Sequence, residues 1–144
     1  MSHPTDQVVA GSIAADISNA VVGLLSEYTG RGPTKARTHI YEDLITVVLR
    51  DTLTRGERSL VAAGKIDVVL ATRQAYQHAM KTDLVAAVEG CSGRKVAAFL
   101  SENHIEPDIA IESFVLESRD GEGAPDAARA APGDANGKMK NGAA

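Results

Sequence analysis

The stretch Gly30–Leu49, GRGPTKARTHIYEDLITVVL, decides how the rest of the chain can fold. It begins as a basic loop interrupted by glycine and proline and ends in an apolar run that belongs in a core. Two β-rich segments, 35–41 and 44–50, are separated only by Glu42 and Asp43, which is hairpin spacing. Because apolar residues of the second segment point to both faces, we expect this strand to be covered on both sides.

A long helix is predicted before this hairpin. Thr5 or Asp6 can cap its N-terminus, and Gly30 is placed to end it after about Tyr28. Apolar residues occupy most of its circumference, and its length of roughly 36 Å exceeds what a small sheet can cover. We therefore expect a second copy of the chain to cover it, although another helix of the same chain could do so.

Two helices and two strands are predicted after the hairpin. Thr54 and Glu57 form a T-x-x-E capping box that opens a short helix. A long helix over 67–89 and strands over 96–100 and 109–116 complete the order α-β-β-α-α-β-β. The expected fold is α+β, a four-stranded mainly antiparallel sheet with long helices packed on it, with the strand order left open. The predicted core stripe of the last helix consists of Ile66, Val69, Leu70, Tyr76, Met80, Leu84 and Val88.

Composition narrows the class of protein. The 144 residues carry a net charge of -4, which disfavours nucleic acid as the partner, and include no tryptophan to stack on bases. We expect a frayed start over 1–5, one domain over 6–117 and a disordered tail rich in Gly, Ala and Pro over 118–144. No segment has the pattern of a membrane span or an export signal, so a cytoplasmic protein without direct membrane insertion is expected.

A small anion could bind at the basic loop. Arg31, Lys35 and Arg37 lie among glycine and proline, where backbone N–H groups can be exposed to a ligand. The same composition also suits a solvated connector. The loop lacks the ending and the strand-before-helix context of a P-loop, so nucleotide binding has little support.

Two further places could bind a ligand or partner. Arg73 lies in the predicted core stripe, where it must be paired with a carboxylate, reach the surface or contact a ligand. The segment with Asn103, His104 and Asp108 could supply a base or contact an anion or partner, but it also has the composition of a turn. We expect no catalytic set, cofactor or metal, because the histidines and Cys91 lack zinc-ligand spacing.

These motifs carry a family resemblance. Gly30-Arg31-Gly32-Pro33, Leu53-Thr54 with Glu57, Arg73 and the S-x-N-H-I-x-P-D-I stretch over 101–109 make the chain resemble the bacterial MpsC-like family over roughly 6–117. The resemblance implies a soluble accessory component linked to a cation-translocating, membrane-potential-generating and bicarbonate-uptake system. It implies no catalytic residues. Contact with a membrane transport complex would then go through partner proteins.

Two functions follow as expectations. The first is a non-catalytic homodimeric accessory or regulatory domain, because the predicted helices carry more apolar surface than one copy hides. The second is a small-anion-binding protein or enzyme that handles a substrate such as bicarbonate or phosphate at Arg31, Lys35, Arg37 and His104.

Overall fold

The computed structural model describes residues 4–33 and 35–119. Three helices and four strands follow one another in the predicted order α-β-β-α-α-β-β, which confirms the α+β class. Residues 1–3 of the predicted frayed start and 120–144 of the predicted tail lie outside the described residues. The elements are α1 (Pro4–Thr29), β1 (Lys35–Tyr41), β2 (Leu44–Arg50), α2 (Arg55–Ala62), α3 (Ile66–Ser92), β3 (Val96–His104) and β4 (Ile109–Leu116).

The four strands form one antiparallel sheet in the order β1-β2-β4-β3. The two hairpins therefore meet through β2 and β4, and β1 and β3 form the edges. The helices lie on one face, where α1 and α3 pack against Ile45, Val47, Leu49 and Phe114. In the part of the chain that the structure describes, no helix is long and apolar enough to span a membrane.

Local sequence signals produce the first hairpin and the short helix. The turn of the hairpin consists of Glu42 and Asp43, as predicted, with Glu42 in the left-handed region at φ 50°. The capping box is confirmed, because the Glu57 backbone N–H donates to Thr54 Oγ1 (3.1 Å) and the Thr54 N–H donates to Glu57 Oε1 (2.9 Å). Together these bonds satisfy two N–H groups at the start of α2.

Several element ends differ from prediction. Helix α1 already begins at Pro4, and α3 begins at Ile66 rather than Asp67, with no side-chain cap. Helix α3 passes through Gly90 and ends at Gly93, whose φ of 68° is accessible to glycine at little cost. Strand β3 extends to His104, so the second turn is shorter than the predicted eight-residue connection.

The core stripe predicted for α3 is correct at Val69 and over the C-terminal half of the helix. Val69, Met80, Leu84 and Val88 are buried, whereas Ile66, Leu70 and Tyr76 are exposed. The helices run past each other: the hydroxyl of Tyr28, near the end of α1, donates to Asp83 Oδ2 (2.8 Å). The first turns of α3 therefore lie beyond the end of α1, which leaves part of their apolar surface uncovered.

The expectation that β2 is covered on both faces is wrong within one chain. Ile45, Val47 and Leu49 are buried under the helices, but Leu44 on the other face is 42 % exposed and Val48 is half-buried. We call this other side the open face. It comprises alternate residues of the four strands, Lys35, Arg37, His39, Tyr41, Leu44, Thr46, Val48, Arg50, Ala98, Leu100, Glu102, His104, Ile109, Ile111, Ser113 and Val115.

Candidate functional site

A pocket of about 310 Å³ lies between the helices and one end of the sheet. The C-terminal part of α1 contributes Leu25, β2 contributes Leu49, and α3 contributes Arg73 and Met80. Glu112 of β4 also lines it. The pocket exists because α1 ends at Thr29 while the sheet and α3 continue, so a gap remains that α2 covers only in part.

Arg73 is the most extensively bonded side chain of the pocket. Its Nε and Nη2 donate to the two carboxylate oxygens of Glu57, at 2.6 and 3.0 Å, in a fork-like ion pair. Its Nη1 donates to Thr52 Oγ1 (2.8 Å) and to Asn103 Oδ1 (3.0 Å). Pairing of Arg73 with a carboxylate, one of the predicted alternatives, is therefore confirmed, and the guanidinium joins α3, α2, β3 and the loop after β2.

Glu57 stays ionised in this arrangement. Burial alone would raise its pKa. Hydrogen bonds from Arg73 and from the Thr54 backbone, together with the charge of Arg73, outweigh burial and hold the pKa of Glu57 below its usual value. The pair is thus a neutralised unit and not a free acid or a free cation.

The loop after β2 is held by charged groups from distant parts of the chain. Arg31 Nη1 donates to the carbonyl oxygens of Asp51 (3.1 Å) and Leu53 (2.7 Å), and its Nη2 pairs with Asp51 Oδ2 (3.1 Å). Asp108 accepts from Thr52 Oγ1 (2.7 Å) and from the Leu53 N–H (2.9 Å). Asp51 lies in the left-handed region at φ 55°, and these bonds hold the chain in that turn.

Glu112 is the least expected member of the pocket. Only 2 % of its surface is exposed, and its neighbour across the strands on the same face is Ser101. Within residues 4–33 and 35–119, neither Glu112 Oε2 nor Ser101 Oγ has a hydrogen-bond partner. Burial raises the pKa of Glu112 to about 7, and the positive charge of Arg73 offsets only part of that rise.

The structure brings together some of the predicted site residues. Arg31 and Asn103 line the pocket with Arg73, and Asp108 holds the adjacent loop. Arg73 contacts Asn103 directly, whereas Arg31 and Asp108 connect to Arg73 only through Leu53 and Thr52.

The other predicted site residues lie elsewhere. Lys35 and Arg37 are on the open face in β1, and His104 is at the same face in β3, three strand spacings or about 14 Å from β1. His104 Nδ1 donates to the Pro107 carbonyl oxygen (2.8 Å), a bond that shapes the turn. These three residues therefore do not form one site with Arg31.

Sequence reasoning missed Glu112 as a site residue. A glutamate in a strand is usually taken as solvent-facing, and the two faces of β4 were not distinguished. The signal was the period of two: Ala110, Phe114 and Leu116 are the buried residues of the strand, and Glu112 has the same parity. Phe114 packs on Phe99, with ring centroids 5.1 Å apart, which fixes that parity.

Cys91 and the metal-binding residue types were the remaining candidates for chemistry in the described chain. Burial and the negative charge of Asp16 raise the pKa of the Cys91 thiol, which disfavours a reactive thiolate. Among the residues described, no cluster of three or more His, Cys, Asp or Glu side chains could hold a metal ion.

Comparison with known proteins identifies the family of the chain. Residues 10–118 match the family described as Na⁺-translocating membrane potential-generating system (MpsC). The match covers α1 from its second turn through β4, and it includes the pocket and the open face. No curated protein and no solved structure gives a significant match.

Proposed function

The chain belongs to the MpsC family, and on that premise we propose that it is a non-catalytic, homodimeric accessory or regulatory domain of a Na⁺-translocating, membrane-potential-generating system. It acts in the cytoplasm and reaches the membrane through partner subunits. The ion pair Arg73–Glu57 supports a binding role, because it occupies a carboxylate and a guanidinium that a catalyst would need free. We infer the homodimer from the composition of the open face.

The centre of the open face is apolar although it is exposed. Leu100 is 57 % exposed, and Leu44, Ile111 and Val115 are each more than a third exposed. They lie side by side on β2, β4 and β3, because β2 pairs with β4 and β4 with β3. A contiguous exposed patch of this kind is typical of a protein–protein interface. Burial of such a patch against a second sheet would provide the hydrophobic contribution to association.

The charges of the open face are arranged for self-association. One row across the sheet reads Arg37, Val48, Ile111, Glu102, from the β1 edge to the β3 edge. A cation therefore lies at one edge of this row and an anion at the other, with aliphatic residues between them. This order makes the row complementary to its own reversed copy.

A two-fold axis parallel to the strands reverses the row in the second copy. Arg37 then faces the partner subunit's Glu102, and Val48 faces the partner subunit's Ile111. A two-fold axis that runs perpendicular to the strands along this row would instead place β1 over β1 and bring two Arg37 side chains together. Charge thus selects the first arrangement, which is isologous and closed.

Charge reversal tests this interface. At micromolar concentration, light scattering should give a dimer for the natural chain and monomers for Arg37→Glu and for Glu102→Arg. The double variant carrying both changes should dimerise again, because it restores opposite charges at the facing edges. Ala75→Glu on the exposed side of α3 is the matched control and should remain a dimer. A monomeric natural chain, or loss of the dimer in the control alone, would reject the open face as the interface.

The link to the transport system has its own test. The tagged chain, purified from its own cells in mild detergent, should carry membrane subunits of a Na⁺-translocating system, and Arg37→Glu should show whether the dimer is needed for that contact. Recovery of the chain without any membrane subunit would argue against the accessory role while leaving the dimer intact.

Small-anion binding remains a second candidate because cations group at the β1 edge. Lys35, Arg37 and Arg50 border a shallow depression on the open face, together with His39. Calorimetry with bicarbonate and with phosphate should then give saturable heat that Arg37→Ala removes. A silent titration would favour the accessory role.

A further inference from the structure

One row at the end of the open face carries positive charge and no acid. From the β1 edge to the β3 edge it consists of Lys35, Arg50, Ile109 and His104. Lys35 and Arg50 are exposed and directly opposite each other, where side chains start about 5 Å apart and like charges repel. In the part of the chain that the structure describes, no carboxylate forms an ion pair with either of them. The row therefore presents two cations whose charge the described chain does not balance.

The proposed dimer brings this charge into the interface. Under the two-fold axis parallel to the strands, each row faces its own reversed copy, so Lys35 lies opposite the partner subunit's His104. In the neighbouring row Arg37 meets the partner subunit's Glu102, which balances its charge. The end row offers no acid, and in the dimer a Lys35–Arg50 pair lies at each end of it. Removal of such charges from water without a counter-ion is costly, so this interface requires an anion from solution.

We propose that a doubly charged oxyanion, namely phosphate or the phosphate group of a larger molecule, binds between Lys35 and Arg50 of one copy and the partner subunit's His104. Two such anions, related by the two-fold axis, stabilise the dimer. The inference rests on the proposed dimer, since neither copy alone completes the site. Two negative charges balance the two cations at each site, whereas a singly charged anion leaves one cation unbalanced. The guanidinium of Arg50 suits this ligand, because its N–H groups match two oxygens of one phosphate.

His104 is the predicted site residue that a single chain holds apart from the others. Within one chain it lies about 14 Å from β1, but the two-fold axis brings the partner subunit's His104 over Lys35. His104 Nδ1 donates to the Pro107 carbonyl oxygen (2.8 Å), so Nε2 is the ring nitrogen that remains for a ligand. In the protonated ring Nε2 carries a hydrogen and donates to an anion. Packed sheets lie about 10 Å apart, a gap that long side chains and a tetrahedral anion can fill together.

Sedimentation of the full chain at pH 7 and constant ionic strength tests the site. Replacement of chloride by millimolar phosphate should lower the dissociation constant of the dimer by at least about tenfold, the effect of one charge-assisted hydrogen bond. Bicarbonate should have a smaller effect. Glycerol 3-phosphate distinguishes the two sources of the ligand: an effect equal to that of phosphate indicates a larger phosphorylated molecule as an acceptable ligand, and a smaller effect indicates the free ion.

Two variants and one control separate the anion site from general screening. Arg50→Gln should dimerise at least as tightly as the natural chain in chloride, because a repelling cation is gone, and should lose the response to phosphate. His104→Gln, with its fold verified by circular dichroism, should also lose most of that response. Arg55→Gln at the exposed start of α2 removes a cation outside the open face and should respond to phosphate as the natural chain does.

The outcomes distinguish this site from the dimer itself. A dimer of equal stability in phosphate and chloride would overturn the anion site and leave the dimer intact. A chain that is monomeric in both salts would reject the dimer and the site together. A full phosphate response in Arg50→Gln and His104→Gln would show that the anion binds elsewhere, and undiminished calorimetric binding of phosphate to monomeric Arg37→Glu would show that the partner subunit contributes nothing.

Discussion

The Glu112→Gln variant should become more stable than the natural chain as pH rises. In the folded chain the pKa of Glu112 is about 7, whereas in the unfolded chain it has its usual value near 4.5. Between pH 4.5 and pH 7 the folded state binds more protons than the unfolded state, so the free energy of unfolding falls as pH rises. The loss begins near pH 4.5 and is complete above about pH 7. Glutamine does not ionise, so the free energy of unfolding of the variant does not fall for this reason.

The magnitude follows from the distance between the two pKa values. At about 1.4 kcal/mol per pH unit, a difference from 4.5 to about 7 corresponds to about 3 kcal/mol. Glu112 is almost completely buried, so solvent screens little of this effect. Below pH 4.5 the protonated acid resembles the amide, and the two chains should differ by no more than about 1 kcal/mol.

Urea denaturation at intervals from pH 5 to pH 8.5 measures the effect. The difference in unfolding free energy between Glu112→Gln and the natural chain should rise by about 2.5 kcal/mol over this range, because part of the change occurs below pH 5. Because other titrating groups are common to both chains, they cancel in the difference. Glu27→Gln serves as the control and should give a constant difference. A constant difference for Glu112→Gln as well would refute the buried, proton-sensitive acid.

Two further substitutions test the contacts around the pocket. Glu57→Gln should cost about 3 kcal/mol in urea denaturation at pH 7, because Arg73 keeps its charge in a mostly buried place without a counter-ion. Arg58→Gln is the control, because the side chains of the Arg58–Asp51 pair are 56 % and 41 % exposed, and it should cost less than about 1 kcal/mol. A loss no larger than that of the control would contradict this assignment. Thr54→Ala should cost about 1 kcal/mol by the same assay through loss of the capping box, while Thr54→Ser should be nearly neutral; equal stability of all three chains would show that the cap contributes nothing.

Local signals made much of the fold predictable. The bounds of β1 and β2 and the capping box at Thr54 depend on residues adjacent in sequence, and the structure has them as predicted. The strand order could not be predicted in this way. It depends on pairing such as Thr46 with Ser113, between residues 67 positions apart. Periodicity also failed at Ile66, since an apolar stripe does not show how far a neighbouring helix extends.

The candidate site was predictable in part, for a related reason. Arg73 stood out because a charge in an apolar stripe needs a partner, and the structure supplies Glu57. The sequence predicts Arg31 and Asp108 as candidate binding residues, but their common contact with the loop after β2 depends on tertiary packing. Glu112 looked ordinary in sequence because a strand has two faces and its neighbours alone do not show which one the helices cover.

The strand order has a consequence for how the chain acquires its structure. Neither hairpin contains both central strands, so the middle of the sheet can form only when β2 meets β4. That encounter must close a loop that contains both α2 and α3, and non-local pairing of this kind slows folding relative to helical bundles of equal size. During synthesis, β2 can therefore pair with β4 only after β4 has left the ribosome. Until then, the aliphatic residues of β2 have no strand partner other than β1.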